Sequence, residues 1–165
     1  MLCRFLLLLI AVGVAGCATD PGPNDFGVGP PAAAPVFVDP GEAAAIVTAL
    51  RAEHDLPPVT VSAALNGIAE DYADLLALRG TVGHNVDGTL RTRLSQGDYL
   101  FLVAGENLGG GYRSIEEAFD RWIASPAHLR NLLAEPITEI GIATAFNINS
   151  LYRTYWVLLV ARPAN

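Results

Sequence analysis

Two histidines and two glutamates carry most of the chemical information in this sequence. Glu106 lies between His84 and His128, and Glu139 follows a short way beyond. The chain has three histidines in all, so this set holds two of them. The four residues fall in four different predicted elements, and neither helical nor strand periodicity explains them. Histidine and glutamate carried by loops and brought together by a fold are the usual components of a metal or acid–base site.

The tetrad predicts a site for zinc or another divalent cation. Two imidazoles and two carboxylates supply the nitrogen and oxygen ligands that zinc accepts, with room for a water. His128 falls at the third position of a helix capped by Ser125, where the helix dipole disfavours a positive charge. A neutral imidazole is the better metal ligand. The alternative is structural, because two buried His–Glu pairs would also satisfy one another by hydrogen bonds.

A hydrolase is the second functional hypothesis. It would use either a metal-bound water with Glu106 or Glu139 as general base, or a serine paired with a histidine and a glutamate. The serines Ser114 and Ser125 are better explained as helix caps, and the sequence has no Gly-x-Ser-x-Gly elbow. It also lacks the His-Glu-x-x-His pattern of many zinc hydrolases. Binding is therefore favoured over catalysis, and no residue is assigned a catalytic role.

The first residues have the layout of a signal peptide rather than of a folded element. Arg4 precedes an apolar run over 5–10, and small residues lead into Cys17. The stretch Val14-Ala15-Gly16-Cys17 resembles a bacterial lipobox, in which the cysteine is lipidated and becomes the mature N-terminus. Ordinary secretion and a retained helix are the alternatives. We expect an extracytoplasmic protein anchored to the membrane by lipid on Cys17, in the outer membrane if the cell is Gram-negative.

Three segments follow from this reading: a signal peptide at 1–16, the lipidated cysteine with a Pro/Gly/Ala-rich tether at 17–38, and one domain at 39–165. Cys3 is expected to be removed with the signal peptide, and Cys17 is expected to be lipidated. The domain then has no disulfide and no thiol nucleophile. All ten basic residues are arginine and the formal net charge is −7. An acidic chain without a basic patch is not expected to bind nucleic acid or anionic headgroups.

The elements that must position the tetrad are helices followed by an antiparallel hairpin. The apolar residues of 62–80 recur at helical spacing and bury one face. The segment 155–161 is nearly all apolar, as expected of a central strand covered on both faces. The pattern predicts an α/β fold, a three-layer α-β-α sandwich with a mostly antiparallel central sheet. The predicted helices begin at 39, 62, 89, 114 and 125, and the predicted strands cover 99–104, 140–146 and 155–161.

Three further features are interpreted as structural. The run Gly109-Gly110-Gly111 resembles a phosphate loop but lacks the following lysine, and is read as a flexible turn. Asn107 is placed at a strand-to-loop turn, where its amide bonds nearby backbone. Trp122 completes the apolar stripe of its helix.

Motifs spread along the whole domain can be compared with known families. They are His84, Asp87-Gly88, Arg93, Gly97-Asp98-Tyr99, Gly105-Glu106-Asn107-Leu108, Gly111, Ala118, Trp122, Ser125-Pro126-Ala127-His128, Asn131 and Thr138-Glu139-Ile140-Gly141. In this order they resemble the bacterial CAP superfamily, the SCP-like relatives of cysteine-rich secretory, antigen-five and plant pathogenesis-related proteins. The resemblance covers about residues 42–161. Taken together the motifs are specific, whereas Gly-Glu-Asn alone is weak.

The resemblance implies an α-β-α sandwich with a cleft lined by two histidines and two glutamates, here His84, Glu106, His128 and Glu139. In some members this cleft binds divalent ions such as zinc or calcium, and several relatives bind sterols or lipids. A small or apolar ligand or an envelope component is therefore an expected partner. Relative to eukaryotic members the third and fourth positions are exchanged. Leu129 stands where bacterial members often have arginine, and the eukaryotic disulfides are absent.

We predict that Cys17 carries lipid. The Cys17→Ser variant should leave the membrane fraction, because several acyl chains are needed for stable anchoring and this variant would have none. Fractionation and mass spectrometry of the mature N-terminus measure both properties. A membrane-bound Cys17→Ser protein, or an unmodified wild-type N-terminus, would contradict the prediction.

Overall fold

The structure is a computed structural model that describes residues 32–164. The signal peptide predicted at 1–16, the lipidation site Cys17 and most of the predicted tether lie outside the described residues. Between residues 32 and 164, no helix is long and apolar enough to cross a membrane.

Five helices and four strands make up the described part of the chain. The strands form one sheet in the order β1-β3-β4-β2, in which β1 runs parallel to β3 and the other pairs are antiparallel. Helices pack on both faces, so the predicted α-β-α sandwich is confirmed. The elements are α1 (Pro40–Ala52), β1 (Thr60–Val61), α2 (Ala63–Arg79), α3 (Leu90–Gln96), β2 (Phe101–Gly110), α4 (Ile115–Ala124), α5 (Pro126–Leu132), β3 (Glu139–Phe146) and β4 (Thr154–Pro163).

Strand β4 divides the interior into two cores. Every residue from Thr154 to Ala161 is buried. Because side chains alternate across a strand, Leu159 faces the core formed with α2, whereas Trp156 and Leu158 face the core formed with α1 and α4. A strand covered on both faces reads as a continuous apolar run, which is why the sequence identified it.

A glycine sets the distance between α2 and the sheet. A Cβ added to Gly141 would lie 2.3 Å from the backbone carbon of Leu65 in α2. The helix therefore rests directly on β3, and the Asn66 side chain accepts a hydrogen bond from the Ile142 backbone N–H at 2.9 Å. Only glycine permits this approach.

The expected glycine-rich turn is largely wrong. Gly109 and Gly110 are the last residues of β2, paired with β4, and only Gly111 has a positive φ, of 83°. A Cβ on Gly109 would lie 2.1 Å from the Tyr112 ring, and one on Gly110 would lie 2.7 Å from the Tyr152 ring. The glycines are needed because two aromatic rings lie against the strand, a tertiary constraint that local sequence does not show.

Strand β1 was not predicted. It has two residues, both exposed, and pairs only with the start of β3, where Thr60 is opposite Glu139. A strand this short has no alternating pattern to detect. It covers the edge of the sheet at which Glu139 lies.

A buried cation joins α1 to the segment before β3. The Arg51 side chain is fully buried, and its guanidinium donates only to backbone carbonyls. The Nε bond to Pro57 is 2.7 Å long, and the Nη1 bonds to Leu132 and Ala134 are 3.0 and 2.9 Å. Burial lowers the pKa of Arg51. This cation fixes the chain between the end of α5 and the entry to β3, a segment that lies between His128 and Glu139.

Trp122 is structural, and we expect Trp122→Ala to destabilise the fold by about 3–5 kcal/mol. The ring is fully buried, packs edge-on against Phe119 at a centroid distance of 5.2 Å, and donates from Nε1 to the Leu108 carbonyl at 3.0 Å. Trp122→Phe is the control, since it keeps an aromatic ring and loses the hydrogen bond, at about 1–3 kcal/mol. Denaturant unfolding measures both, and a stable Trp122→Ala protein would refute the placement.

Candidate functional site

Glu106 is a buried carboxylate in the middle of β2. It is paired with Leu159 of β4 and only 5% exposed. Both carboxylate oxygens have partners: Oε1 accepts from His84 Nδ1 at 2.8 Å, and Oε2 is bonded to Arg93 Nη2. A buried carboxylate is costly unless it is paired in this way. The placement corrects the expectation that Glu106 lies on a loop.

Arg93, from α3, neutralises Glu106 and also holds the loop that carries His84. Its Nη1 donates to the carbonyls of His84 and Gly88 at 3.0 and 3.1 Å. The guanidinium lies over the Tyr72 ring, 3.4 Å from its centroid. The same loop is tied to α2 by the Tyr72 hydroxyl, which donates to the Gly83 carbonyl. The position of the imidazole is therefore set by α2, α3 and β2 together.

His84 is the accessible end of this cluster. Its side chain is 52% exposed, whereas that of Glu106 is 3% exposed. Because an ionised carboxylate can only accept, the imidazole proton lies on Nδ1, and the lone pair of the neutral ring lies on Nε2. A buried carboxylate that orients a half-exposed imidazole can serve either ligand binding or proton transfer.

Glu139, the first residue of β3, projects from the same face of the sheet as Glu106. It is paired with Ala161 of β4, two residues from the partner of Glu106, so the side-chain alternation is in phase. The Tyr99 hydroxyl donates to Glu139 Oε2 at 2.7 Å. Burial, and secondly Glu139 itself, raises the pKa of Tyr99. The phenol therefore stays protonated and remains a donor to the carboxylate.

His128 lies in the first turn of α5, half-buried, and enters the site from a different layer. The Asn107 amide donates to the His128 carbonyl at 3.2 Å, and Asn131 Nδ2 donates to the Glu106 carbonyl at 3.1 Å. Asn107 is fully buried in β2, so its bond crosses to a helix instead of closing a local turn as expected. Burial lowers the pKa of His128, and the nearby His84 adds to the effect.

Only two of the four residues are therefore in direct contact, and Glu139 and His128 are each held by a bond to a residue outside the set. His84 bonds to Glu106, whereas within residues 32–164 no hydrogen bond joins Glu139 or the His128 side chain to the other members. No group of three or more His, Cys, Asp or Glu in this range is arranged to hold a metal ion. Arg93 is already bonded to the Glu106 carboxylate, and its positive charge would repel a second cation. In this arrangement the residues do not fit a divalent ion, and the zinc site stays a prediction.

From the sequence alone, the supporting residues Arg93, Tyr99 and Asn131 are motif positions without an assigned role. Arg93 and Tyr99 are both at least nine-tenths buried. A charged side chain on the buried face of a short helix is the signal that could have marked Arg93, because such a group needs a partner. The identity of that partner depends on a contact between separate elements and is not readable from spacing.

Comparison with known proteins identifies the family. The sequence model of the cysteine-rich secretory protein family, CAP, matches residues 45–160. The chain therefore belongs to the CAP family, as the motifs indicated. Among curated proteins, none matches this chain significantly by sequence.

Solved bacterial structures share the fold. An outer surface protein of Borrelia burgdorferi is 22% identical with a TM-score of 0.68, over 78% of this chain and 98% of that one. An extracellular SCP-domain protein of Bacillus anthracis is 23% identical with a TM-score of 0.65, over 74% of this chain and 39% of that one. A cysteine-rich secretory protein of Staphylococcus aureus is 18% identical with a TM-score of 0.57, over 74% and 38%. The chain thus spans less than half the length of the last two.

We expect His128 to titrate below the ordinary histidine pKa of 6.5, and His84→Gln to raise it part of the way back. The substitution removes the electrostatic effect of His84 on His128 and leaves the burial of His128 in place. Since the unfolded chain binds this proton more readily, protonation of His128 opposes folding as the pH falls below 6.5. NMR titration of the imidazole signals measures the pKa. The control is His54→Gln, at an exposed residue outside the site; a His128 pKa unchanged by His84→Gln would contradict the coupling.

Proposed function

We propose that this chain is an extracytoplasmic, lipid-anchored binding module. Its cleft, formed by His84, Glu106, His128 and Glu139, would hold a small ligand rich in hydrogen-bond donors. The location is supported by the N-terminal apolar run before Cys17, and by relatives described as an outer surface protein and an extracellular protein. The lipid on Cys17 would make the membrane a partner, and nothing in the acidic composition favours nucleic acid.

The observation that carries this proposal is the neutralisation of Glu106 by Arg93 beneath a half-exposed His84. With that charge matched, the cleft offers acceptors: Nε2 of the His84 ring in its neutral form, the imidazole of His128, whose pKa is lowered, and Glu139. A ligand with O–H or N–H donors suits these groups, whereas an anion would meet the Glu139 carboxylate. The fixed partners of His84 also reduce the ordering needed on binding.

A matched pair of hydroxylated probes tests the polarity of the cleft. We expect glucose to shift the NMR signals of His84 and His128 saturably at millimolar concentration. Glucuronate has the same ring with a carboxylate, and should bind more weakly because of Glu139. His84→Ala should weaken glucose binding about tenfold, the cost of one hydrogen bond to a polar ligand. His54→Ala is the surface control.

Two results would contradict the proposal: equal shifts with glucose and glucuronate, or glucose binding that His84→Ala leaves unchanged. A zinc titration read in the same signals tests the predicted metal site. Zinc binding lost in the His84→Ala, His128→Ala double variant, and kept in His54→Ala, would support a metal-binding cleft that rearranges around the ion.

A hydrolase remains the second candidate, and the His84–Glu106 bond of 2.8 Å is the observation in its favour. A carboxylate that orients an imidazole through Nδ1 leaves Nε2 to accept a proton from water or a hydroxyl group. The general base would be His84, with Glu106 positioning it. Turnover of a simple ester that requires His84 would favour this function over binding alone.

A further inference from the structure

Exposed apolar side chains lie together at one end of the sandwich. The turn between β3 and β4 carries Ile148 and Leu151, which are 51% and 67% exposed. Leu78, in the last turn of α2, is 78% exposed. The end of α2 is held against the turn, because Asn147 Nδ2 donates to the Ala77 carbonyl at 2.7 Å. Apolar side chains that share one surface indicate an interaction site, whereas scattered ones need no explanation.

The charge of this end differs from that of the whole chain, whose formal net charge is −7. The segments 75–83 and 147–153 contain no carboxylate, and their charged residues are Arg79 and Arg153. Within the described residues neither guanidinium has an ion pair or a hydrogen bond. The preceding carboxylate on α2, Asp74, lies about one helical turn further from this end. Apolar side chains beside unpaired arginines suit the boundary of a lipid bilayer, where headgroup phosphates accept from guanidinium groups.

The described chain begins near the same end. The Val36 carbonyl accepts from the hydroxyl of Thr144, which lies two residues before the end of β3. The next residue, Phe37, is 92% exposed. Residues 18–31 separate Cys17 from the described part, and a chain of that length spans at most about 50 Å. A lipid on Cys17 would keep this end close to the bilayer, so that even a weak contact with the surface would form.

We propose that this end of the sandwich, formed by the β3–β4 turn and the end of α2, docks on the membrane that holds the lipid anchor. Leu78, Ile148 and Leu151 enter the apolar boundary, and Arg79 and Arg153 pair with headgroup phosphates. Because the chain as a whole is acidic, only this end approaches anionic headgroups. The proposal rests on the lipid anchor proposed above and is independent of the ligand proposed for the cleft.

Docking in this orientation determines where the candidate site faces. Glu139 is the first residue of β3, whereas the docked turn follows Phe146 at the other end of the same strand. A strand of eight residues separates the two ends by about 24 Å. The Glu139 side of the candidate site therefore lies away from the membrane, open to a ligand that arrives from solution.

Methyl NMR of the chain on lipid nanodiscs tests the docking. The mature form, residues 17–165, is coupled through Cys17, the one cysteine in that range, to a maleimide lipid. The anchor is then present even if the cell adds none. The discs contain phosphatidylcholine, phosphatidylglycerol and a trace of gadolinium-chelating lipid, which broadens the signals of nearby methyl groups.

We expect the methyl signals of Leu78, Ile148 and Leu151 to be lost to broadening. Leu100 and Leu102 are the control, because they are 72% and 64% exposed and lie at the opposite end of the sheet, where β2 begins. Their signals should remain. Retention of the first three signals, or loss of the control signals as well, would overturn the proposal. Broadening that needs no gadolinium and rises with protein concentration would place a second copy on this end, and would overturn it too.

The Arg79→Gln, Arg153→Gln double variant tests the pairing with phosphates and should recover part of the lost signal. Arg162→Gln is the matched control, since Arg162 is an exposed arginine near the other end of the sheet. The dispersed signals of buried methyl groups show that each variant is folded. A folded double variant with wild-type broadening would contradict the pairing. Failure of docking would leave lipidation intact, because fractionation of Cys17→Ser tests the anchor separately.

Discussion

The burial of one carboxylate, that of Glu106, constrains the arrangement of the surrounding elements. A charge in the middle of β2 needs partners on every polar atom. Arg93 comes from α3, His84 from the preceding loop, and Asn131 of α5 bonds to the Glu106 backbone carbonyl. Tyr72 of α2 packs under the guanidinium. Three helices and a loop are thus fixed around one residue and its partner Arg93, and the buried neighbours of His84 define the position of its exposed imidazole.

Arg51 is a buried charge of the opposite sign, and it is stabilised in a different way. It is a fully buried cation surrounded by backbone carbonyls, so partial charges take the place of a carboxylate. The two buried charges position different members of the candidate site. The Glu106 cluster positions His84, and Arg51 fixes the chain between His128 and Glu139. Because the two centres share no residue, a substitution at one should first disturb the candidate-site residues that this centre positions.

Much of the fold was predictable, because capping residues and periodicity are local signals. The start of α1 next to residue 39, the span of α2 within 62–80 and the apolar run of β4 all lie where the sequence indicated. The errors occur where a distant contact decides local structure, as with the strand glycines Gly109 and Gly110 beneath aromatic rings. The candidate site divides in the same way. The residue types of the site could be read from the sequence. The bonds of Glu106 to Arg93 and of Glu139 to Tyr99 depend on packing between elements and could not.

The central position of β4 has a consequence for the order of events during folding. It is the last strand along the described chain, yet both β2 and β3 form their main ladders with it. During vectorial synthesis neither strand has its neighbour until residues 154–163 emerge, and the two apolar cores have no wall between them. Sheet formation must therefore await the completion of β4. Its pairing with β3 is local, whereas its pairing with β2 is non-local and therefore slow. The two apolar cores therefore close only after the last described strand has been made.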